Sequence, residues 1–368
     1  MDLSLEKENL IKQYFNPEIF HRILKGSKNF RYRNNTNFSF GLDQCGKICI
    51  GPMQKNKTVI PAVLNTLCSD ISVKICEYII NWILEFSSLN IVTYKKSLVS
   101  GFWRHITIRN NRKNEIMIVF HLQNMNHYEN IWEQEKQKLI SDLIKFLEVM
   151  GTKLISLYYQ NSNTLKETRN NDPFICFYNN GDYYEYLDNY KFIISPGSFF
   201  QVNTETAEII YKKILEIAEL NEKKVVLDIC CGTSTIGIFL SNKCKRVYGV
   251  DISSSSILDG KKNIRLNNIT NISLICGKAE VQVPKILEKM DEEVLAIVNP
   301  PRSGLHKNVL ECLKKNNINQ IIYLSCNINT LNRDLKLLKN YLLDYVVPID
   351  QFPGTKHCEI LVRLNRKL

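Results

Sequence analysis

The sequence predicts an α/β protein: a doubly wound, mostly parallel β-sheet in its C-terminal half and an α+β region in its N-terminal half. Two observations predict this fold class. After Ser195-Pro196-Gly197 strands and helices alternate regularly, whereas before it they are mixed. The last two predicted strands have no helix between them, so the sheet should end in an antiparallel hairpin.

The N-terminal half combines amphipathic helices with a β-hairpin. Apolar residues at helical spacing predict helices over 71–89 and 131–150. Between them, alternation at 102–108, a turn at 110–114 and an apolar run at 116–120 predict the hairpin. Further strands are predicted at 154–159, 174–178 and 183–194.

The C-terminal half begins with a helix over 205–220, for which Asn203 or Thr204 is the expected N-cap. The strands that follow are predicted at 225–229, 246–251, 272–276, 294–299, 320–325, 342–349 and 359–364. In such a sheet, ligands bind outside the carboxyl ends of the strands. The predicted domains are an N-terminal extension at 1–28, an α+β domain at 29–194 and the doubly wound domain at 195–368.

The composition indicates an intracellular protein with a polyanionic partner. Lys and Arg number 48 against 37 Asp and Glu, which gives a net charge of +11 and a pI near 9.0. No apolar run approaches the ~18 residues of a membrane span, and the N-terminus fits neither a secretory signal nor a transit peptide. We expect the twelve cysteines to be reduced thiols in the cytoplasm or nucleus, with a mitochondrial location left open.

Two basic clusters with interleaved aromatic residues lie in the first third of the chain. The first contains Arg22, Lys25, Lys28, Arg31 and Arg33 with Phe30 and Tyr32; the second contains Lys95, Lys96, Arg104, Arg109, Arg112 and Lys113 around Phe102, Trp103 and His105. Such groups can follow a phosphate backbone and stack on unpaired bases. A solvated, lysine-rich surface explains them equally well.

Metal binding is not expected in the N-terminal half. Cys45, Cys49, Cys68 and Cys76 are spaced without a C-x2-C pair. Such a pair is usual in structural zinc sites and in many iron–sulfur sites. These cysteines are therefore interpreted as packing residues.

A strand that runs into a glycine-containing loop at 225–237 predicts a site for a nucleotide-type cofactor. The loop has Gly232 and Gly237 but not the full G-x-G-x-x-G pattern. Asp251 closes the next strand, 23 residues after Asp228, which is close to the spacing of about 20 at which a carboxylate meets ribose hydroxyls. Because the loop lacks a pyrophosphate cradle, a cofactor without phosphate fits best, and S-adenosyl-L-methionine is such a cofactor.

The segment Asn299-Pro300-Pro301-Arg302 ends the fourth strand of this half. The two prolines fix the backbone and remove N–H donors, so carbonyl groups and the Asn299 side chain can face the cleft. Asn/Asp-Pro-Pro at this place occurs in methyltransferases that act on bases. An aromatic residue usually follows it when an amino group is the target. Here Arg302 follows, which argues against methylation of an exocyclic amine.

Cys326 directly follows a hydrophobic strand. Carbon 5 of uracil is a poor nucleophile until a group adds to carbon 6, and a thiolate suits that step because it adds readily and leaves again. A base must then remove the carbon-5 proton. A cysteine at a buried strand end is more often a packing residue, but the Ser-Cys-Asn turn in the same domain as the cofactor loop favours a nucleophile.

From about residue 29 to 364 the chain resembles the tRNA (uracil-5-)-methyltransferase family, the RNA m5U methyltransferases, in particular its eukaryotic-type branch. The segments that carry this resemblance are Tyr32-Arg33-Asn34, Ser100-Gly101-Phe102-Trp103-Arg104, Ser195 to Asn203, Asp228 to Gly237, Asn299 to Leu305, Ser325-Cys326-Asn327 and His357-Cys358-Glu359. The resemblance implies a Rossmann-like class I methyltransferase domain preceded by an α+β RNA-binding domain. It also implies S-adenosyl-L-methionine as cofactor, no iron–sulfur cluster, tRNA as partner and a monomer.

The resemblance also implies roles for single residues. Cys326 would be the nucleophile and Glu359 the base that takes the carbon-5 proton. The residues that would surround the cofactor are Gln201, Asp228, Gly232, Asp251, Glu280 and Asn299. Those that would contact the flipped base are Phe199, Asn299 and Arg302, with Gln201 lining the same pocket. The competing interpretations are a helix-capping role for Gln201 and a surface position for Glu359.

The chain departs from the family pattern at three places. Asn299 stands where the family usually has an Asp that hydrogen-bonds the uracil, although an amide oxygen can still accept from N3–H. Ile328 replaces the usual proline after Asn327. The four-cysteine cluster of the ribosomal-RNA relatives is missing, which favours a tRNA substrate.

The function expected from the resemblance is methylation of uridine carbon 5 in RNA, most simply the T-loop uridine at position 54 of tRNA. The reaction would give 5-methyluridine through a covalent Cys–carbon 6 adduct. The alternatives are a ribosomal-RNA uridine methyltransferase and a catalytically weak tRNA-binding or folding protein.

Overall fold

The structure, a computed structural model, describes residues 3–89, 91, 93–95, 98–123, 125–161, 172–315 and 318–367. The chain divides into two compact units. One unit, called here the C-terminal unit, consists of Met1–Asn29, Tyr186–Ile193 and Ser198–Leu368. The other, the N-terminal unit, consists of Phe30–Glu185 and Ile194–Gly197. The predicted limits at 28/29 and 194/195 lie close to these divisions, but the first 29 residues belong to the C-terminal unit.

The chain starts with helix α1 (Leu3–Lys12) and the short strand β1 (Leu24–Lys25), both in the C-terminal unit. The elements of the N-terminal unit follow: β2 (Asn35–Leu42), β3 (Ile48–Gly51), α2 (Asp70–Phe86), β4 (Thr93–Lys95), β5 (Leu98–Ser100), β6 (Trp103–Asn110), β7 (Glu115–Leu122), α3 (Met125–Val149), β8 (Lys153–Asn161) and β9 (Phe174–Tyr178). The predicted helices and hairpin are confirmed. The helix α1 and the strands β1, β2 and β3 were not predicted.

The N-terminal unit is a sheet covered by two helices. Among the described residues the sheet has six strands in the order β3-β2-β6-β7-β8-β9. Helix α2 starts at Ser69, whose side chain accepts a hydrogen bond from the Ser72 N–H. The buried helix residues Ile75, Ile79, Leu139 and Leu143 pack in one core with the apolar face of the sheet.

The second basic cluster is largely part of this fold. Phe102 and Trp103 are fully buried in the core, and Arg104 and Arg109 are only 3% and 5% exposed. Because neither the rings nor these guanidinium groups face solvent, the interpretation of this cluster as a stacking surface for RNA is wrong. Lys96 and the side chain of Lys95 lie outside the described residues.

The C-terminal unit continues with β10 (Tyr184–Leu187) and β11 (Tyr190–Ile193), a two-stranded sheet that begins at the end of the N-terminal unit. The following elements are α4 (Thr204–Ile217), β12 (Val225–Ile229), α5 (Thr235–Leu240), β13 (Arg246–Asp251), α6 (Ser254–Leu266), β14 (Ile272–Cys276), α7 (Ala279–Leu287), β15 (Val294–Val298), α8 (Lys307–Lys315), β16 (Ile318–Ser325), α9 (Ile328–Leu337), β17 (Tyr341–Asp350) and β18 (Glu359–Arg366). The predicted alternation is confirmed.

The large sheet is doubly wound. Its strand order in the described residues is β1-β17-β18-β16-β15-β12-β13-β14. The pairs from β16 through β15, β12 and β13 to β14 are parallel, and β18 runs antiparallel to both β16 and β17. The strand order reverses between β12 and β15, which is where an open α/β sheet forms its ligand crevice. The predicted final hairpin is confirmed.

The first residues are not a separate extension. Strand β1 pairs in parallel with β17 at Ile349 and Asp350, and the side chains of Ser4 and Lys7 contact the Asp350 carboxylate. Ile11 is buried in the core of the unit. No helix among the residues that the structure describes is long and apolar enough to cross a membrane.

Candidate active site

The candidate residues meet at one edge of the large sheet because neighbouring parallel strands end together. Ile229, the last residue of β12, pairs with Val250 of β13 and with Val298 of β15. Asp251 and Asn299 therefore follow at the same edge as the loop after β12. Cys326 follows the end of β16, which pairs with β15. The expectation of a cleft at the carboxyl ends of the strands agrees with this register.

Asp228 is the buried acid of this edge. Its carboxylate is fully buried; Oδ2 accepts a hydrogen bond from the Gly237 N–H at 3.2 Å, and Oδ1 has no partner among the described residues. Burial raises the pKa of Asp228 to about 7, opposed by the Gly237 N–H and reinforced by the charge of Asp251. A buried carboxylate oxygen without a donor fits a cofactor that carries an ammonium and a sulfonium group.

The loop after β12 has an unusual backbone. Cys230, Gly232 and Ser234 all have positive φ, at 63°, 56° and 63°. For the two residues that are not glycine this conformation costs on the order of 1–3 kcal/mol and persists because the surroundings enforce it. At Gly237 an added Cβ would lie 2.9 Å from the Ser234 hydroxyl, so the loop can turn tightly over Asp228 only with glycine there.

Asp251 links the loop to the end of β13. Its Oδ2 accepts from the Gly232 N–H at 2.9 Å and its Oδ1 from the Ser253 N–H at 2.8 Å. Each oxygen keeps a lone pair for a ribose hydroxyl. Ile252 follows with two thirds of its side chain exposed, which gives a purine ring an apolar face beside that carboxylate. Glu280 lies half-buried in the first turn of α7.

Cys326 and Glu359 lie opposite each other across the β16–β18 ladder. Ser325 pairs with Ile360 in the antiparallel register, so the next position of β16 faces Glu359. Glu359 is buried, and burial raises its pKa to about 7 while Arg302 lowers it. Burial, and then the charge of Glu359, raise the pKa of Cys326, and Arg302 again acts in the opposite direction. The interpretation of Glu359 as a surface carboxylate is wrong.

The Asn299–Arg302 segment is held beside this pair. The Asn299 N–H donates to the Ile229 carbonyl at 3.3 Å. The Arg302 carbonyl accepts from Asn327 Nδ2 at 3.3 Å and from the Thr330 hydroxyl at 3.4 Å. The exposed Arg302 side chain is therefore anchored by its backbone next to the start of α9, where its charge reaches both Cys326 and Glu359.

Gln201 lies near the end of β17 and not at a helix cap. Its Oε1 accepts from Gln351 Nε2 at 3.3 Å, whereas the N-cap of α4 is Asn203, which accepts from the Thr206 N–H. The capping interpretation of Gln201 is therefore wrong. Phe199 is 66% exposed, so its ring is available to a ligand.

Two contributors to the site were missed by sequence reasoning. Asp334 of α9 is fully buried and accepts from the Tyr323 hydroxyl at 2.7 Å and from the Leu305 N–H at 2.9 Å, so it ties β16 to the loop after Arg302. Lys7 of α1 lines a cavity that reaches Cys326. An acid on the apolar side of α9 is a usable signal for Asp334. No local pattern marks Lys7.

The fold and the site together define the class of protein. The reversal of strand order at β12, two carboxylates at the ends of neighbouring strands and a glycine loop between them fit an adenosine cofactor without phosphate. The antiparallel final strand and the order of the sheet complete a Rossmann-like class I methyltransferase fold.

Known proteins agree with this class. The profile of the tRNA (Uracil-5-)-methyltransferase family matches residues 113–367. An RNA methyltransferase of Clostridium tetani is 34% identical over 342 residues, 91% of this chain and 71% of the relative. A tRNA (uracil-5-)-methyltransferase homolog B of Pongo abelii is 32% identical, over 72% of this chain and 58% of the relative. The crystal structure of Pyrococcus abyssi tRNA (uracil-54, C5)-methyltransferase with S-adenosyl-L-homocysteine superposes with a TM-score of 0.78 at 23% identity, covering 98% of this chain and 82% of that one.

The chain belongs to the tRNA (uracil-5-)-methyltransferase family. It is an S-adenosyl-L-methionine-dependent methyltransferase, as the resemblance implied.

Proposed function

We propose that this protein methylates carbon 5 of the T-loop uridine at position 54 of tRNA through a covalent adduct with Cys326. The observation that carries the proposal is the placement of a thiol and a buried carboxylate opposite each other, at the edge of the large sheet where β12, β13, β15 and β16 end. A reaction at carbon 5 needs both groups: one to add to carbon 6, and one to remove the carbon-5 proton.

In this mechanism the Cys326 thiolate adds to carbon 6 of uracil, and carbon 5 gains the electron density with which it takes up the methyl group. S-adenosyl-L-methionine would supply that group by loss of its sulfur–methyl bond and would leave as S-adenosyl-L-homocysteine. The Glu359 carboxylate then removes the proton from carbon 5, the double bond re-forms, and the thiolate leaves carbon 6. Arg302 favours the charged form of both residues, which offsets part of the effect of burial.

Asn299, at the same edge of the sheet, carries groups that can hydrogen-bond uracil. Asn299 follows β15, beside the β16 strand that ends before Cys326. Its amide oxygen can accept from N3–H and its amide nitrogen can donate to O4. The tRNA substrate is supported by the description of the family and by the activity for which the Pyrococcus abyssi enzyme is named. The net charge of +11 is in keeping with a polyanionic substrate.

The test is methyl transfer from labelled cofactor to unmodified tRNA transcripts, with the modified nucleoside mapped by mass spectrometry. The T-loop uridine should become 5-methyluridine, and a transcript with cytidine at position 54 should stay unlabelled. Labelling of ribosomal RNA in place of tRNA would identify the ribosomal-RNA alternative. Tight tRNA binding without methyl transfer to either RNA would identify the non-catalytic alternative.

Replacing Asn299 with Asp should raise the rate of uracil methylation by roughly tenfold or less. A carboxylate accepts a charge-assisted hydrogen bond from N3–H that is about twice as strong as a neutral one. The measurement is steady-state methyl transfer to T-loop RNAs carrying uracil or cytosine at the target position, and no gain is expected on cytosine. A loss of uracil activity would show that the pocket is adapted to the amide.

RNA affinity should fall steeply with salt, because each Lys or Arg that neutralises a phosphate releases counterions. Arg22, Lys25 and Lys28 of the first cluster are exposed, unlike Arg104 and Arg109. Replacing these three with Ala should reduce the slope of log affinity against log salt by about 0.9 for each phosphate that is no longer neutralised.

The matched control for this prediction is the pair Lys285, in the last turn of α7, and Lys289, just after the helix; both are exposed. This end of the helix lies away from the strand ends that carry Asp228, Asp251 and Asn299, so replacing both lysines with Ala should leave the slope unchanged. Equal slopes for the two sets of variants would place the RNA surface elsewhere.

A further inference from the structure

A cavity in the C-terminal unit reaches Cys326 from the side of the sheet that carries α1. Its volume is about 290 Å³. Lys7, Leu10 and Ile11 of α1 form one wall, and Cys326 and the residues around Cys358 form the other. Residues 1–112 lie outside the stretch that the family profile matches, so the profile gives this wall no role.

The cavity is adjacent to the place where the target uracil must bind. Cys326, Cys358 and Ile360 line the cavity, whereas Glu359 is not among its lining residues.

A uracil that touches both Cys326 and Glu359 therefore lies where β16 ends and β18 begins, and the cavity begins beside it. The next nucleotide of the RNA is one phosphodiester away. The exposed Arg302 and Lys356 on the cavity lining can meet a phosphate. The apolar Leu10, Ile11 and Ile328 offer contact to the face of a base.

The α1 wall is held in place by a buried ion pair. Lys7 Nζ lies 2.5 Å from Asp350 Oδ1 and donates to the Phe352 carbonyl at 3.0 Å, and the Ser4 hydroxyl donates to Asp350 Oδ2 at 2.7 Å. The side chains of Lys7 and Asp350 are 5% and 2% exposed. Breaking a buried pair of this kind is strongly destabilising, so the wall is a fixed part of the unit.

We propose that this cavity binds the nucleotide next to the target uridine, with α1 as the wall that recognises it. The proposal rests on the proposed roles of Cys326 and Glu359. It makes α1 a substrate-recognition element and predicts that the enzyme reads one nucleotide beside the one it methylates.

The experiment places a larger side chain at the exposed rim of the cavity, so that it fills the space proposed for the nucleotide. Leu10 lines the cavity and is 56% exposed, whereas Leu5 of the same helix is 55% exposed and does not line it. Leu10→Trp should raise the KM for a T-arm stem-loop RNA about tenfold and leave kcat and the affinity for S-adenosyl-L-methionine within about twofold. Leu5→Trp should change none of these quantities.

The occupant is identified by RNAs with an abasic ribose on the 5′ or the 3′ side of the target uridine. One of the two should raise the KM of the wild-type enzyme about tenfold and should add nothing to the KM of Leu10→Trp, since both changes remove the same interaction. Penalties that multiply in the variant, or equal behaviour of the two Trp variants, would overturn the proposal.

Failure of the proposed function has a different signature. If the wild-type protein transfers no methyl group, binding of the intact and the abasic RNAs to the wild-type protein and to the two Trp variants is compared by fluorescence anisotropy. If only Leu10→Trp binds the intact RNA more weakly, and this difference disappears on the matching abasic RNA, the result supports the cavity as a nucleotide-binding site even without catalysis. Identical affinities of the two Trp variants overturn it.

Discussion

Replacing Cys326 with alanine should abolish methylation and leave binding of RNA and of S-adenosyl-L-methionine within about twofold. Without an adduct at carbon 6, carbon 5 remains a poor nucleophile, so the rate should fall by at least about 10⁴-fold, as for other covalent nucleophiles. The measurement is methyl transfer alongside covalent trapping: RNA with 5-fluorouracil at the target position should give a gel-stable adduct with the wild-type protein and none with Cys326→Ala.

The matched control is Cys45→Ala, because Cys45 is an exposed free thiol in the N-terminal unit. It should keep full activity and full trapping. Cys358 is the rival nucleophile, since it lines the same cavity as Cys326. Burial raises the pKa of Cys358 to about 12, which leaves almost no thiolate at neutral pH. An adduct that survives in Cys326→Ala and disappears in Cys358→Ala would reassign the nucleophile.

The core of the large sheet could be predicted from the sequence because its central strands β12 and β15 are fully buried. Such strands are short continuous apolar runs bounded by turn residues. The strands at 225–229, 246–251 and 272–276 have the predicted limits, although β14 at the end of the strand order is only partly buried. Parallel strands end at one edge, so the meeting of Asp228, Asp251, Asn299 and Cys326 follows from the topology alone.

The burial of the second basic cluster could not be predicted. Alternation in β6 correctly places Ile106 and Ile108 on the core face, but it cannot show whether the opposite face is covered. That face carries His105, Thr107 and Arg109, which are largely buried. Burial lowers the pKa of His105 to about 3, so this side chain is neutral and not a cation for RNA.

The role of α1 depends on a hydrogen bond between residues 343 positions apart in the chain. A lysine near the N-terminus is normally a solvated charge. The burial of its partner Asp350, the last residue of β17, follows only when the pairing of β1 with β17 is known. Polar residues that pair over such long sequence distances carry no local signal.

Replacing Glu359 with glutamine should slow methylation by about 10²–10⁴-fold, the usual contribution of a general base. The amide keeps the shape of the side chain but cannot take the carbon-5 proton, so the step after methyl transfer should stall. A methylated RNA–protein adduct should therefore accumulate with ordinary uracil RNA, visible on a denaturing gel and confirmed by mass spectrometry. Glu288→Gln, an exposed position after α7, should give no adduct.

The pH dependence of adduct resolution is a second measurement that checks the role of Glu359. The pKa of Glu359 is raised from its ordinary value of 4.5 to about 7, and only the carboxylate form can accept the proton. Resolution of the adduct should therefore speed up as pH rises through about 7 in the wild-type protein, and its rate should not depend on pH in Glu359→Gln.

The contribution of Glu359 to protein stability should change with pH in the opposite direction. The folded state holds the Glu359 proton more tightly than the unfolded state, so this contribution is fully present below pH 4.5 and is lost as pH rises through 7. Glu359→Gln should then gain melting temperature relative to wild type between about pH 5 and pH 8. A variant that resolves the adduct at the wild-type rate, with the same pH profile, would show that another group removes the proton.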